Sequence, residues 1–356
     1  DAVFEIVSGF TTTGSSILGD VELLGKGLLF WRSFSHWIGG MGVLVLVLTI
    51  LPLGGGYNLM IMKAESPGPD VSKMVPRVAD SAKALYKIYL ALTVLMIAVF
   101  LLTGMPLFDS LCIGFGTAGT GGFAVRNSGM ADYSMLSQFC ITIFMILFGV
   151  NFNVYYFILI GKVKEALNNE ELKYYLLIVF ISIALIVANI SKSYSSILHC
   201  IRDVLFSVSS VMTTTGYSTA DFGKWPLFSQ VILLILMFFG ACAGSTAGGL
   251  KISRVILMIK IHFAEIRQMI SPNRVISISY EDKPVSLKMQ KSIAVYFVVY
   301  AIVFMAMLLL ISFSTDDFLT AFSAVAATFN NIGPGLGKVG PAYSFANLND
   351  FSKVVL

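Results

Sequence analysis

The stretch "FTTTGSS" at residues 10–16 ends an apolar run with three threonines and a glycine, and "MTTTGYS" at residues 212–218 does the same. In full, these copies read "DAVFEIVSGFTTTGSS" from Asp1 and "DVLFSVSSVMTTTGYS" from Asp203. Two looser copies are "DSLCIGFGTAGTGGFA" from Asp109 and "TAFSAVAATFNNIGPG" from Thr320. The glycines that align them are Gly14, Gly121, Gly216 and Gly333. Recurrence at intervals of roughly a hundred residues marks an internal repeat, and the fold must account for it.

The apolar part of each copy is about ten residues, too short to cross a bilayer and of the length of a re-entrant or buried segment. Irregular backbone at membrane depth is tolerated only where protein buries it or where it lines a water-filled cavity. Each copy therefore predicts a short helix that dips in from outside and stops, followed by an extended loop that returns. Asp1, Asp109 and Asp203 stand where a carboxylate would cap the helix N-terminus and complement its dipole.

The surrounding sequence is that of a polytopic membrane protein. Of 356 residues, 56% are hydrophobic and 12% charged, against about 25% charged in a soluble domain. Six stretches have the length and apolarity of spans, at 27–53, 88–103, 135–160, 174–190, 227–248 and 293–313. The segment after the fifth reads as a helical continuation outside the membrane. The basic residues gather on alternate loops, Lys63 to Lys87, Lys162 to Lys173 and Lys251 to Lys291, which places those loops in the cytoplasm. Interleaving with spans makes this a topology signal, not a nucleic-acid surface. The chain opens without a signal peptide and closes as another apolar run begins, so terminal spans are expected beyond both ends. Four scattered cysteines read as apolar packing residues, and three distant histidines show no ligand spacing. Arg32 and His36, near the start of the first complete span, read as interface residues.

All four glycine loops fall on the non-basic side. Glycine allows backbone conformations that a Cβ forbids, and small polar neighbours let carbonyls turn toward a common axis. Four such loops would form rings of oxygens able to replace the hydration shell of a cation. The alternative is that the Thr and Gly residues are close-packing contacts between helices.

These residues carry a family resemblance. The chain resembles the membrane subunit of the TrkH/TrkG potassium-uptake family, within the superfamily that includes KtrB and the plant HKT transporters. Beside the four loops, "FWRSFSHWIGGMG" (30–42) resembles the second helix of the family's first unit, and "KAESPGP" (63–69) the cytoplasmic segment after it. "NNIGPGLG" (330–337) resembles TrkH rather than KtrB. The resemblance implies an all-α fold of four pseudo-repeated span–pore loop–span units around a central pore. Their expected extents are 1–87, 88–173, 174–292 and 293–356, with the terminal spans missing. It implies potassium as the transported ion, no cofactor in this chain, and a dimeric subunit of the bacterial inner membrane. A cytoplasmic ring of nucleotide-binding TrkA-type subunits is the implied partner. Carried over by motif, the filter backbone is Thr12, Thr13 and Gly14; Gly119, Thr120 and Gly121; Thr214, Thr215 and Gly216; and Asn331, Ile332 and Gly333. The second of these departs most from the TTTG pattern.

A further motif, "GACAGSTAGGLKISR" (240–254), interrupts the fifth span with six small residues. Glycine costs a helix nearly 1 kcal/mol relative to alanine, so a break is expected beneath the third loop. The resemblance makes Ala243, Gly244, Ser245, Thr246, Ala247, Gly248 and Gly249 an intramembrane gating loop. Lys251 is either a cationic barrier beside it or a side chain snorkelling to the cytoplasmic interface. A small-residue helix contact is the plainer alternative, and a phosphate loop is excluded by the absence of GxxxxGK[ST].

Two other function classes fit the sequence less well. An enzyme would need ionisable residues converging at membrane depth, and the spans hold almost none. A coupled carrier with inverted repeats would put equivalent loops on opposite faces, whereas all four fall on one. An ion-coupled (Na⁺ or H⁺) potassium symporter of the KtrB/HKT type remains the alternative to a gated potassium pathway.

Overall fold

The computed structural model describes residues 1–42, 78–273, 276–281 and 283–356. Lys63, Lys73, Arg77, Arg274, the 63–69 segment and the second half of the first expected span lie outside the described residues. Among the described residues the structure is all-α apart from one hairpin of two-residue strands, in which β1 (Ser279–Tyr280) pairs antiparallel with β2 (Lys283–Pro284).

Among the described residues, three helices are long and apolar enough to cross a membrane: α3 (Val78–Leu102), α7 (Glu170–Ile190) and α11 (Leu287–Ser312). Their outer faces are apolar and uncovered by protein. On α11, Val295, Val298, Val299, Ile302, Met305 and Leu309 are all exposed, the pattern of a helix that faces lipid.

The expected third span is not one helix. It divides into α5 (Met135–Phe148) and α6 (Phe152–Leu159), bent by 89°. Asn151 starts α6 by accepting the Asn153 N–H at 2.9 Å. The Gly149 carbonyl and the Phe152 N–H are bonded to the distant residues Cys242 and Gly244. A helix cannot run through groups already bonded elsewhere. The first expected span is helical as α2 (Lys26–Gly40) over its described part. The fifth is α9 (Leu227–Phe239), an irregular stretch at 240–251, and then α10 (Ile252–Ile270), so the expected break is present.

The four copies of the repeat begin in short helices: α1 (Ala2–Phe10), α4 (Leu107–Gly119), α8 (Ile197–Met212) and α12 (Phe318–Phe329). Their C-terminal halves are buried and rich in small residues, such as Gly116, Thr117, Ala118, Ser209, Ser210, Ala326 and Ala327. Lipid offers no hydrophobic drive for one helix to prefer another, so close packing of small residues must hold them. A Cβ on Gly9 would lie 2.3 Å from Ser35 Oγ, one on Gly116 2.2 Å from Tyr217 Oη, and one on Gly119 2.1 Å from the His36 carbonyl oxygen.

Candidate functional site: a ring of four loops

Each short helix ends in the same way. The N–H groups of Thr13, Gly121, Thr215 and Ile332 reach back to the carbonyls of Ser8, Gly116, Ser210 and Ala327, at 2.9, 2.9, 2.8 and 2.7 Å. The residue before each bonds three positions back, at 3.1–3.2 Å. This pair of bonds is the Schellman ending, which needs a left-handed residue at its turn. That residue is not glycine here: it is Thr12 (φ 60°), Thr120 (φ 53°), Thr214 (φ 55°) and Asn331 (φ 57°). Asparagine tolerates this region, whereas a β-branched threonine is strained in it by roughly 1–3 kcal/mol. Two residues later a glycine again takes positive φ, at Gly14, Gly122, Gly216 and Gly333.

The shared torsions correct the repeat alignment in the second loop. The expected triplet Gly119, Thr120 and Gly121 is out of register by one residue. Thr120, Gly121 and Gly122 take the places of Thr12, Thr13 and Gly14, and Gly119 is the last residue of α4.

The four loops meet in cyclic order. A Cβ on Gly14 would lie 1.9 Å from the carbonyl oxygen of Gly121. One on Gly122 would lie 2.0 Å from that of Thr215, one on Gly216 2.0 Å from that of Ile332, and one on Gly333 3.0 Å from that of Thr13. Each glycine thus seats the carbonyl of the next loop, and the fourth closes on the first. Asn331 strengthens that closure, accepting from Thr13 Oγ1 at 3.1 Å and donating to the Thr11 carbonyl at 2.9 Å. Among the described residues no group of three His, Cys, Asp or Glu side chains could hold a metal.

The returning strands are tied to their own helices by polar side chains. Glu5 accepts from Ser16 Oγ and the Ile17 N–H, both at 3.0 Å. Asp109 pairs with Arg126 at 2.8 Å, and Asp203 accepts from Thr219 Oγ1 at 3.3 Å. In the fourth copy Ser323 accepts the Leu336 N–H at 2.8 Å. The capping expected of Asp1, Asp109 and Asp203 is not what they do. Asp1 occupies the N-cap position without a capping bond and instead takes Lys353 Nζ at 2.7 Å. Asp109 lies inside α4, and Asp203 in the body of α8, which begins at Ile197. The capping carboxylate belongs to the fourth copy, where Asp317 accepts the N–H groups of Leu319 and Thr320.

Residues 240–251 lie against this ring. The Gly248 N–H donates to Thr214 Oγ1 at 2.6 Å, and a Cβ on Gly248 would sit 2.5 Å from the Asn330 carbonyl oxygen. Positive φ at Gly240, Gly244, Gly249 and Lys251 keeps the stretch non-helical. Its base is held by Glu171, a buried carboxylate whose Oε1 accepts from the Ala243 N–H at 2.7 Å and the Ser253 N–H at 2.9 Å. Lys251 does not snorkel: its ammonium is buried and donates to the Ala247 carbonyl. The sequence reading missed Glu171, since "NNEELK" looks like the polar start of a span. Arg32 and His36 are not interface residues either. Arg32 is buried and paired with Glu5 at 2.6 Å, and His36 is fully buried behind the second loop.

The loops that follow the ring lie together. The Val21 N–H donates to Asn127 Oδ1 at 2.9 Å, and the Phe345 N–H to the Ser16 carbonyl at 2.8 Å. Two of the basic loops also meet each other, through Lys260 and Glu170 at 2.5 Å.

An apolar multi-helix frame around four equivalent helix-and-loop units defines a multi-pass membrane protein with a four-fold internal repeat. All of the chain, residues 1–356, matches the sequence model of the family described as TrkH, cation transport protein, and the chain belongs to that family, the TrkH/TrkG branch of the TrkH/KtrB/HKT superfamily. It is 37% identical over 365 residues to the Trk system potassium uptake protein TrkH of Salmonella typhimurium, covering 100% of this chain and 74% of that protein. It is 35% identical over 364 residues to the Trk system potassium uptake protein TrkG of Escherichia coli, with coverages of 100% and 74%. The crystal structure of the potassium transporter TrkH from Vibrio parahaemolyticus superposes with a TM-score of 0.86 at 35% identity, again over 100% of this chain and 74% of that one. The family is one of transport rather than catalysis, and the chain is a multi-pass protein of the bacterial inner membrane.

Proposed function

We propose that the protein takes up potassium through a pore whose selectivity filter is the ring of four loops. The observation that carries this is the cyclic seating of the Thr13, Gly121, Thr215 and Ile332 carbonyls on the glycines of neighbouring loops. Backbone oxygens fixed in a closed ring can replace a hydration shell. The ring has no net charge, and the short helices end at it with the negative ends of their dipoles, which favours a cation over an anion. The filter residues are then Thr12, Thr13 and Gly14; Thr120, Gly121 and Gly122; Thr214, Thr215 and Gly216; and Asn331, Ile332 and Gly333. The four span–loop–span units surround this one axis.

Residues 240–251 are the gate in this reading. They are non-helical, lie against the third and fourth loops, and must line a cavity or be covered by protein at that depth. Regulation by a TrkA-type nucleotide-binding subunit on the basic face, and assembly as a homodimer, are carried over from the family. Cysteines at Ser128 and Lys283 should label from opposite membrane faces; labelling from one face contradicts the topology.

The test of the function is cation flux into liposomes holding the complete protein, with no imposed Na⁺ or H⁺ gradient. Downhill flux of K⁺ and Rb⁺ well above Na⁺ is expected. Flux that requires a second ion gradient identifies the coupled symporter instead.

A further inference from the structure

Gly121 is a glycine without a conformational reason to be one. Its φ is not positive, unlike that of Gly122 beside it. The residues at the same place in the other loops, Thr13, Thr215 and Ile332, all carry side chains. What forbids one here is His36. A Cβ on Gly121 would lie 2.2 Å from His36 Cγ, 2.3 Å from Nδ1 and 2.6 Å from Cδ2. The imidazole occupies the space that a filter side chain would fill.

The ring of His36 is locked in that place. It stacks on Phe123 with centroids 4.2 Å apart and planes 27° apart. The Arg32 guanidinium, one helical turn earlier on α2, lies 4.0 Å from the Phe123 centroid and is fixed by Glu5. The backbone of His36 also abuts Gly119, where a Cβ would come within 2.1 Å of its carbonyl oxygen. Neither ring nitrogen has a hydrogen-bond partner among the described residues, so hydrogen bonding does not account for its position. What the ring contributes is a flat, rigid surface behind the Gly121 carbonyl.

We infer that His36 is a selectivity-positioning residue: a side chain lent by the first unit that replaces the missing side chain of the second filter wall and fixes where the Gly121 carbonyl points. This rests on the carbonyl-ring reading above. Packed interiors do not deform continuously, so removing the plate lets that carbonyl relax while the other three keep their own support. The ring also accounts for the departure of "GTGG" from "TTTG", since imidazole and side chain compete for one volume.

The competition gives a compensation test in the complete protein, read as the K⁺ to Na⁺ flux ratio in liposomes. Gly121→Ala and His36→Ala should each lower the ratio about tenfold, and the double variant should return it to within about threefold of wild type, because neighbours sharing one volume are not additive. A purely structural role would lower the amount of folded protein and the flux of both ions together, leaving the ratio in place. If Gly121→Ala does not fold, a double variant that does fold is the expected rescue, and one that also fails overturns the inference. Unchanged ratios in both single variants, or a double variant no better than the worse single, likewise overturn it. Gly216→Ala is measured alongside. If it collapses the ratio while the His36 and Gly121 variants do not, this inference alone falls; if it too leaves the ratio intact, the carbonyl ring falls with it.

Discussion

The ring loops and residues 240–251 are both glycine-bearing interruptions among apolar helices, yet they are held in opposite ways. Each ring loop is closed by backbone bonds to its own helix and seated on a neighbouring loop, so four copies brace one another. The 240–251 stretch keeps a few bonds of its own, from Ser245 to the Cys242 carbonyl and from Lys251 to that of Ala247. It hangs from side chains and carbonyls elsewhere in the chain: Glu171 at its base, Thr214 near its tip, and the Phe148 and Gly149 carbonyls at the bend between α5 and α6. Bonds internal to a repeat break only when the repeat unfolds. Bonds to separate elements can be released one at a time, which suits a segment that moves. Under the proposed function the ring is the stiff element and the broken segment the one that moves.

The largest effect is expected at the ring. Gly216→Val adds a branched side chain where φ is 83° and where a Cβ would already meet the Ile332 carbonyl oxygen at 2.0 Å. Backbone strain and this clash should together lower Rb⁺ uptake by roughly a hundredfold or more, or abolish selectivity. Wild-type uptake and selectivity would remove the ring from the function.

The base of the broken segment should respond in the other direction. Glu171→Ala leaves two buried N–H groups unsatisfied, each costing on the order of 1–3 kcal/mol. Resting flux should rise several-fold while the K⁺ to Na⁺ ratio holds. Glu171→Gln should stay close to wild type, because both bonds go to one oxygen and an amide oxygen can accept both. Deleting 243–249 should raise resting flux further, and unchanged gated flux in that deletion would make the segment packing alone.

A smaller effect is expected where ring and segment touch. Thr214→Val removes the acceptor for the Gly248 N–H at about 1 kcal/mol, so resting flux should rise by about twofold to fivefold. Thr214→Ser, which keeps the hydroxyl, should not change it. Equal behaviour of the two variants would show that the contact carries no coupling.

The smallest effect belongs to the cap of α12. Asp317→Ala should lower thermal stability by about 1 kcal/mol without altering selectivity. The Thr320 hydroxyl, followed by the Thr320 and Leu319 N–H groups, holds the Asp317 carboxyl below its ordinary range. A lowered native pKa means stability that is present above the unfolded pKa and is lost as pH falls through the native one. The wild-type advantage over Asp317→Ala should therefore fade at acid pH, and a constant difference across that range would contradict the cap.

Much of this was legible in the sequence because bilayer physics leaves few choices. Apolar runs too short to cross, ending each time in small polar residues and glycine, announce four short helices, each closed by a loop. The small-residue run after Phe239 announces a broken span. What escaped notice depended on distance. The second loop offers Gly119, Gly121 and Gly122 to an alignment, and the strained left-handed position that sets the register is a threonine, which no propensity would choose. Asp203 read as a cap because "SILHCIR", with its Ser, His and Arg, hid six residues of helix before it. The bend at Gly149 and the burial of Glu171 both follow from residues 240–251 folding back onto them, a contact between segments far apart in the chain. Arg32 and His36 looked interfacial because their partners lie far from them in the sequence, Glu5 in the short helix of the same unit and Phe123 in the second unit.

The proposed filter requires that the carbonyls of Thr13, Gly121, Thr215 and Ile332 hold the transported ion. The most direct measurement is anomalous diffraction from crystals of the complete protein grown in Rb⁺ in place of K⁺. A scattering peak on the axis, equally close to those four oxygens and absent from crystals grown in Na⁺, is the predicted result. A ring without a peak, with ordered Rb⁺ elsewhere in the membrane region, would contradict it.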